Sequence, residues 1–246
     1  MSAPAKAVDA APLLQAEGLT KSFGGVLAVD HLDFALGRRE LRCLIGPNGA
    51  GKSTLFNLLS GLHRADAGRI HFKGEDITRL PPYQRVRRGL CQKFQTTRIY
   101  RGMTVAQNLL IASGGTRSAE QANGRLEWAL GALHLDVERD AQAGLLPHSH
   151  QQWLEICLAL ATTPDLLLLD EPTAGMTPEE TALTARFLGD LNAQGLAVLV
   201  VEHDMTFVRQ IGRGVTVLHY GRIFSEGSLE EIEANHEVRR IYLGEY

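Results

Sequence analysis

Apolar residues in this chain recur in two rhythms, short leucine- or β-branched-rich runs and longer stretches spaced every three to four positions. Residues 13–23 and 28–36 read as strands, bracketed by Gly24-Gly25 and Gly37. Residues 41–45 form a short apolar run that predicts a buried strand, and Leu55, Leu58, Leu59 and Leu62 follow at helical spacing. Residues 69–73 alternate as a strand and meet a turn at Gly74, Glu75 and Asp76. Pro81-Pro82 then opens a short helix carrying Arg85, Arg87 and Arg88, a basic run read as a solvated helix face and not a nucleic-acid patch.

From Met103 to Leu135 the rhythm becomes helical throughout, with Val105, Leu109 and Leu110 on one segment and Leu126, Leu130 and Leu133 on another. Ser113, Gly114, Gly115 and Thr116 separate the two, so the pattern predicts a helical insertion within an α/β domain. Past Pro164 strand and helix alternate again. Residues 166–169 and 196–201 are near-continuous apolar runs of the kind that parallel strands show when both faces are covered. A helix is predicted over 182–191, another after Asp204, a strand over 215–219, and two short helices in the polar amphipathic stretch from Ser228 to Tyr246.

Composition narrows the class. A chain of 246 residues suffices for one large domain or two closely joined ones. A net charge of −3 argues against a nucleic-acid partner, which a basic face would signal. Cys43, Cys91 and Cys157 lie far apart and read as small buried apolar residues of a reducing compartment, neither disulfides nor a zinc site. No stretch approaches the roughly 20 apolar residues that span a bilayer. Residues 1–12, rich in Ala and Pro without the apolar core of a secretory signal, are expected to be a disordered tail, and the protein is expected to be cytoplasmic.

The candidate chemistry begins between the strand at 41–45 and the helix that follows. Gly46, Pro47, Asn48, Gly49, Ala50, Gly51, Lys52, Ser53 and Thr54 fit G-x-x-x-x-G-K-[ST], a loop whose backbone N–H groups cradle nucleotide phosphates. Lys52 supplies a point charge to the β- and γ-phosphates, and the Ser53 hydroxyl is a ligand for Mg²⁺. Hydrolysis needs more: a metal-side carboxylate, a base for water and a sensor of the γ-phosphate. Asp170 and Glu171 end one apolar strand and His203 the next, at the edge where open α/β sheets hold their ligands. Asp170 is the candidate metal-side carboxylate, Glu171 the general base and His203 the third group. Phe23 closes a strand ahead of the loop, either as a core aromatic or as a ring on which adenine stacks.

Taken together these residues resemble the nucleotide-binding subunit of an ATP-binding cassette transporter, from about Leu13 to Tyr246. The resemblance implies a P-loop NTPase (RecA-like) α/β core with an N-terminal antiparallel β region and a helical subdomain at about 96–155. Gly46 to Thr54 matches Walker A, Asp170-Glu171 the Walker B carboxylates, and Phe23 the adenine-stacking aromatic. Gln95 matches the Q-loop glutamine, a catalytic and metal-side residue facing the membrane partner; His203 matches the switch histidine, and residues 173–177 the D-loop. The implied cofactors are ATP and Mg²⁺. The implied partners are transmembrane permease subunits, a second nucleotide-binding subunit and, indirectly, a periplasmic binding protein, with the chain peripheral on the inner face of the cell membrane. The Ala-Gly-Met-Thr form of the D-loop, residues 152–156 and the ending Ile241, Tyr242, Leu243 and Gly244 resemble importers of branched-chain amino acids. Residues 215–219 and Gly227-Ser228 resemble the urea and short-amide branch of that group.

One motif departs from the family. Its signature, Leu-Ser-Gly-Gly-Gln or here Leu-Ser-His-Gly-Glu/Gln, corresponds to Leu146, Pro147, His148, Ser149 and His150, with Pro for Ser and Ser for Gly. A weakly hydrolysing or regulatory cassette subunit is therefore an alternative reading. A cassette ATPase of DNA repair or translation is another, although the long coiled coil or tandem cassettes that mark those machines do not occur in these residues.

Overall fold

The computed structural model describes residues 11–93, 99–114 and 119–243; residues 1–10 of the expected tail lie outside them. Strands β1 (Leu14–Phe23), β2 (Val26–Leu36), β3 (Leu41–Ile45), β4 (Ala67–Phe72), β5 (Glu75–Asp76) and β6 (Leu90–Lys93) precede the helical insertion, with α1 (Lys52–Ser60) and α2 (Pro82–Arg87) among them. The insertion holds α3 (Val105–Ser113), α4 (Ala119–Ala132) and α5 (His148–Leu160). Then come β7 (Leu166–Asp170), α6 (Pro178–Ala193), β8 (Ala197–Val201), α7 (Met205–Ile211), β9 (Gly214–His219), β10 (Arg222–Gly227), α8 (Leu229–Ala234) and α9 (His236–Val238), closed by a π-helical turn over Arg239–Leu243.

The strands form two sheets. β2-β1-β4-β5 is antiparallel, and β10-β9-β3-β8-β7-β6 is parallel except for β10, which returns against β9. The period-two geometry of a strand sends successive side chains to opposite faces, and the parallel sheet uses both. Leu166 and Leu168 of β7, with Leu199 and Val201 of β8, join Leu55, Phe56, Leu58 and Leu59 of α1 and the antiparallel sheet in one core. Leu167, Leu169, Val198 and Val200 join the other core, under α5, α6 and α7. That is why the sequence shows unbroken apolar runs here. Each fully buried leucine contributes about 1.5–3 kcal/mol, so these strands anchor the fold and hold their C-terminal ends in fixed register.

The helical insertion docks on the second core. Thr104 and Gln107 form a capping box at the start of α3, and the Trp153 indole N–H of α5 donates to Thr184 Oγ1 of α6 at 2.9 Å. Trp128 of α4 stacks on Phe187 of α6 with centroids 5.4 Å apart. Among the described residues no helix is long and apolar enough to cross a membrane. All three cysteines are buried and free, as expected; burial pushes the thiols of Cys43 and Cys157 up to about 12 and that of Cys91 to about 11.

Three expectations need correction. Leu62 does not extend α1: Gly61 adopts φ 84° as a left-handed cap, so the helix stops at Ser60 and Leu62 is exposed. The helix predicted over 182–191 starts earlier, at Pro178, because Thr177 and Glu180 make a capping box. The basic run on α2 is only in part a solvated face: Arg87 is exposed, but Arg85 is not. Arg85 is 1% exposed and donates to the carbonyls of Leu58, Leu59, Thr78 and Leu80 at 2.7–3.0 Å. It ties the end of α1 to the segment before α2, and burial lowers its pKa to about 10. Arg88 instead reaches Glu75 at 3.0 Å.

Candidate active site

The loop between β3 and α1 owes its shape to two glycines. Gly46 has φ 152°, and a Cβ there would lie 2.2 Å from the Leu218 carbonyl; Gly51 has φ 103° as the N-cap of α1, and a Cβ would lie 2.3 Å from the Ala28 carbonyl. Only glycine fits either place. The first N–H groups of α1 have no intrahelical acceptor and point out of its positive dipole end. Asn48, Gly49, Ala50, Gly51, Lys52, Ser53 and Thr54 line a cleft of about 310 Å³, together with Ala28, Asp170, Glu171 and Val201. Gly46 and Pro47 lend it their carbonyls, which receive the Lys52 ammonium at 2.6 and 3.0 Å. Desolvation lowers the Lys52 pKa, opposed by the charges of Glu171 and Asp170. An anion entering the cleft meets this ammonium at its rim.

The carboxylates stand where β7 ends. Asp170 is 7% exposed, and its carboxyl is pushed up to about 6, first by burial and then by the neighbouring Glu171 charge. A cation beside it would relieve that cost. Glu171 leaves the strand with φ 45°, its N–H on the Val201 carbonyl at 3.0 Å, and lines the cleft beside Asp170. His203, just past β8, brings Nδ1 to 3.2 Å from Glu171 Oε1. Sequence-predicted loop, carboxylates and histidine thus converge at one sheet edge. Gln95 lies outside the described residues; Lys93 leads into it, buried and 3.5 Å from the Glu155 carboxylate of α5.

Phe23 does not line this cleft. It ends β1 at the tip of the β1–β2 hairpin, and β2 carries Ala28 into the cleft. The ring is 45% exposed, which removes the core-aromatic reading; Lys21 sits 5.3 Å over its centroid and His63 meets its edge. An exposed aromatic ring of this kind offers a face for stacking.

Leu146 to His150 are not brought to the cleft within one chain. They begin α5, with Pro147 as a cap lacking both a side-chain hydrogen bond and an N–H of its own. The Ser149 residue is 4% exposed and its hydroxyl donates to Glu180 Oε1 at 2.6 Å. That bond, with the Thr177 N–H, holds the Glu180 carboxyl below its ordinary range. The His148 ring lies 3.3 Å from the Ala174 carbonyl, and His150 stacks on Trp153 and meets Glu138 at 2.7 Å.

Two residues that sequence reasoning passed over hold the site. Gly221, at φ 75° between β9 and β10, donates to the Ala50 carbonyl and accepts from the Asp30 N–H, both at 2.9 Å, which pins the loop to β2 and β10. A Cβ there would lie 2.9 Å from Ala28 O. Its signal was a glycine in a two-residue hairpin turn. Glu202, 1% exposed between β8 and His203, accepts the Thr173 hydroxyl at 2.7 Å. A charged residue ending an apolar strand was the available clue.

Comparison with known proteins gives the family. The ABC transporter family model matches residues 29–174. The chain is 35% identical to the high-affinity branched-chain amino acid transport ATP-binding protein BraF of Pseudomonas aeruginosa, covering 95% of this chain and 98% of that one. It is 37% identical to LivG of Salmonella typhimurium, which carries the same description, with the same coverage, and 36% identical to the lipopolysaccharide export system ATP-binding protein LptB of Acidithiobacillus ferridurans, over 95% and 97%. A solved nucleotide-free ATP-binding cassette superposes with TM-score 0.84 at 31% identity, covering 96% of this chain and all of that one. A cassette in its ADP conformation superposes with TM-score 0.85 at the same identity and coverage. The chain is an ATP-binding cassette ATPase and belongs to the ABC transporter family.

Proposed function

We propose that this chain binds Mg-ATP in the cleft at 46–54 and hydrolyses it to drive uptake of branched-chain amino acids through partner membrane subunits. The observation that carries the reading is the convergence of the phosphate loop, Asp170, Glu171 and His203 at one sheet edge. The phosphates sit on the N–H groups of α1, and Lys52 turns from the Gly46 and Pro47 carbonyls to the β- and γ-phosphates. The residues described suit Mg²⁺: the Ser53 hydroxyl and Asp170, with Gln95 as a further proposed ligand, would hold it, and it would supply neutralisation of phosphate charge. Glu171 accepts the proton of the attacking water, and His203, beside it, meets the γ-phosphate. Phe23 stacks on adenine.

The names of the relatives favour amino acids over urea or short amides as the transported class. An apolar surface on the helical insertion, with Tyr100, Met103, Leu110 and Ile111 exposed, supports docking to a membrane subunit. A cysteine at Tyr100 would cross-link to that partner; failure to cross-link anywhere on this face would favour a soluble role. The altered signature supports pairing with a second, related cassette subunit whose signature is intact, one site of the pair turning over slowly. Turnover of Mg-ATP by the purified chain, alone and with such a subunit, tests this. Turnover by the chain alone as fast as in the pair would remove the asymmetry.

A further inference from the structure

Glu202 is a carboxylate that the fold buries, and its hydrogen bonds come from neutral N–H and O–H donors. Its residue is 1% exposed. One oxygen accepts the Thr173 hydroxyl at 2.7 Å and the Thr173 N–H at 3.3 Å. The other accepts the His203 N–H at 3.1 Å and lies 3.9 Å from His203 Nδ1. Nearby, Lys93 feels its charge from the end of β6. A buried carboxylate carries a large desolvation cost. Here the donors that offset it come from two different loops: Thr173 from the turn after β7, two residues beyond Glu171, and His203 from the turn after β8.

The ladder hydrogen bonds end just before these turns. The Glu171 N–H reaches Val201 O, and the Glu202 N–H reaches Leu44 O at 3.4 Å. Beyond that point the Glu202 side chain bonds to both turns, and the two groups they carry, Glu171 Oε1 and His203 Nδ1, stand 3.2 Å apart. A positional error of about 1 Å in such a pair costs up to ~10²-fold in rate. We infer that Glu202 is a positioning residue for hydrolysis, holding the turn after β7 and the turn after β8 in the register that sets His203 against Glu171. This rests on the proposed roles of Glu171 and His203. It also links Thr173, and through it the loop running to the Thr177 cap of α6, to the histidine.

The test is steady-state ATP turnover of the full chain, in whichever assembly is the more active, with Glu202→Gln made in the wild-type and His203→Ala backgrounds. Glutamine keeps the volume but presents an NH₂ to one of the N–H donors. The expected result is a kcat lowered about tenfold with KM for ATP within about twofold, and a further loss under about twofold once His203 is gone, the non-additivity of two residues acting through one contact. Equal losses in both backgrounds, or an unchanged kcat in the wild-type background, would overturn the inference while leaving the hydrolytic reading intact. Full turnover by His203→Ala alone would overturn both the inference and the proposed role of His203. Should Glu202→Gln fail to fold, Thr173→Val removes the hydroxyl at constant shape and Thr173→Ser restores it. Turnover lowered in the first and recovered in the second is expected, and equal turnover in the two is the contrary result.

Discussion

The phosphate loop and the start of α5 are both helix N-termini with a glycine-or-serine motif, yet the sequence treats them oppositely. At the loop every family position is kept, and the structure shows why: a Cβ at Gly46 or Gly51 collides with a backbone carbonyl. At α5 the serine and glycine positions have become Pro147 and Ser149, and the local fold absorbs both without strain. Pro147 suits the N-cap region because its missing N–H is an orphan there in any case. Ser149 spends its hydroxyl on Glu180. The lesson is that intramolecular sterics enforce the first motif, whereas only a second subunit would enforce the other. The hydroxyl of Ser149 is turned inward and committed to Glu180 of α6.

The comparison breaks first at the cleft. Glu171→Gln keeps the shape of the side chain and removes its capacity to accept a proton, so turnover should fall by at least ~10²-fold while ATP binding persists. Near-normal turnover in that variant would take Glu171 out of the role. Lys52→Ala removes the ammonium and should weaken Mg-ATP binding by roughly 10- to 10²-fold, the scale of one charge-assisted contact. The fold should survive, since Lys52 lines a cleft and not a core. A thermal shift with Mg-ATP that matches wild type would contradict the phosphate-loop assignment.

The α5 side of the comparison sharpens with smaller effects. Pro147→Ser combined with Ser149→Gly restores the family pattern and should raise turnover of the chain alone about tenfold, from contacts worth about 1.5–3 kcal/mol each partly regained. No gain would mean that the altered signature is not what limits the chain. Glu180→Gln should be the mildest. Glutamine retains the capping box, so the contacts to Ser149 and the Thr177 N–H lose only their charge, worth about 1 kcal/mol of stability. A denaturant midpoint lowered far beyond that would show that Glu180 has a larger part in the fold.

Much of this was legible in the sequence because it depends on local pattern. The strand at 41–45, the glycine loop and the helix after it are contiguous, and their motif carries its geometry with it. Asp170, Glu171 and His203 were legible because apolar runs announce parallel strands and ligands gather at their ends. Arg85 was misread because a basic residue on a short helix has no local sign of what lies above it; its acceptors on α1 are 26 and 27 residues away in the chain. Gly221 and Glu202 did carry local clues, but the partners that give them their parts, Ala50 and Thr173, lie far off in the chain.

By itself, then, the sequence determined the element types, the order of motifs and the family they resemble, all of which follow from periodicity and from residue chemistry within a few positions. Tertiary structure alone decided where Arg85 is spent, which face Ser149 turns to, how Gly221 pins the phosphate loop, and that Glu202 joins the turns after β7 and β8. Each of these rests on a hydrogen bond between groups far apart in sequence, among them Arg85 to Leu58, Ser149 to Glu180 and Thr173 to Glu202. Burial gives such a bond its weight, because a buried polar group left without a partner costs more than the bond itself returns, and burial is a property of the packed chain.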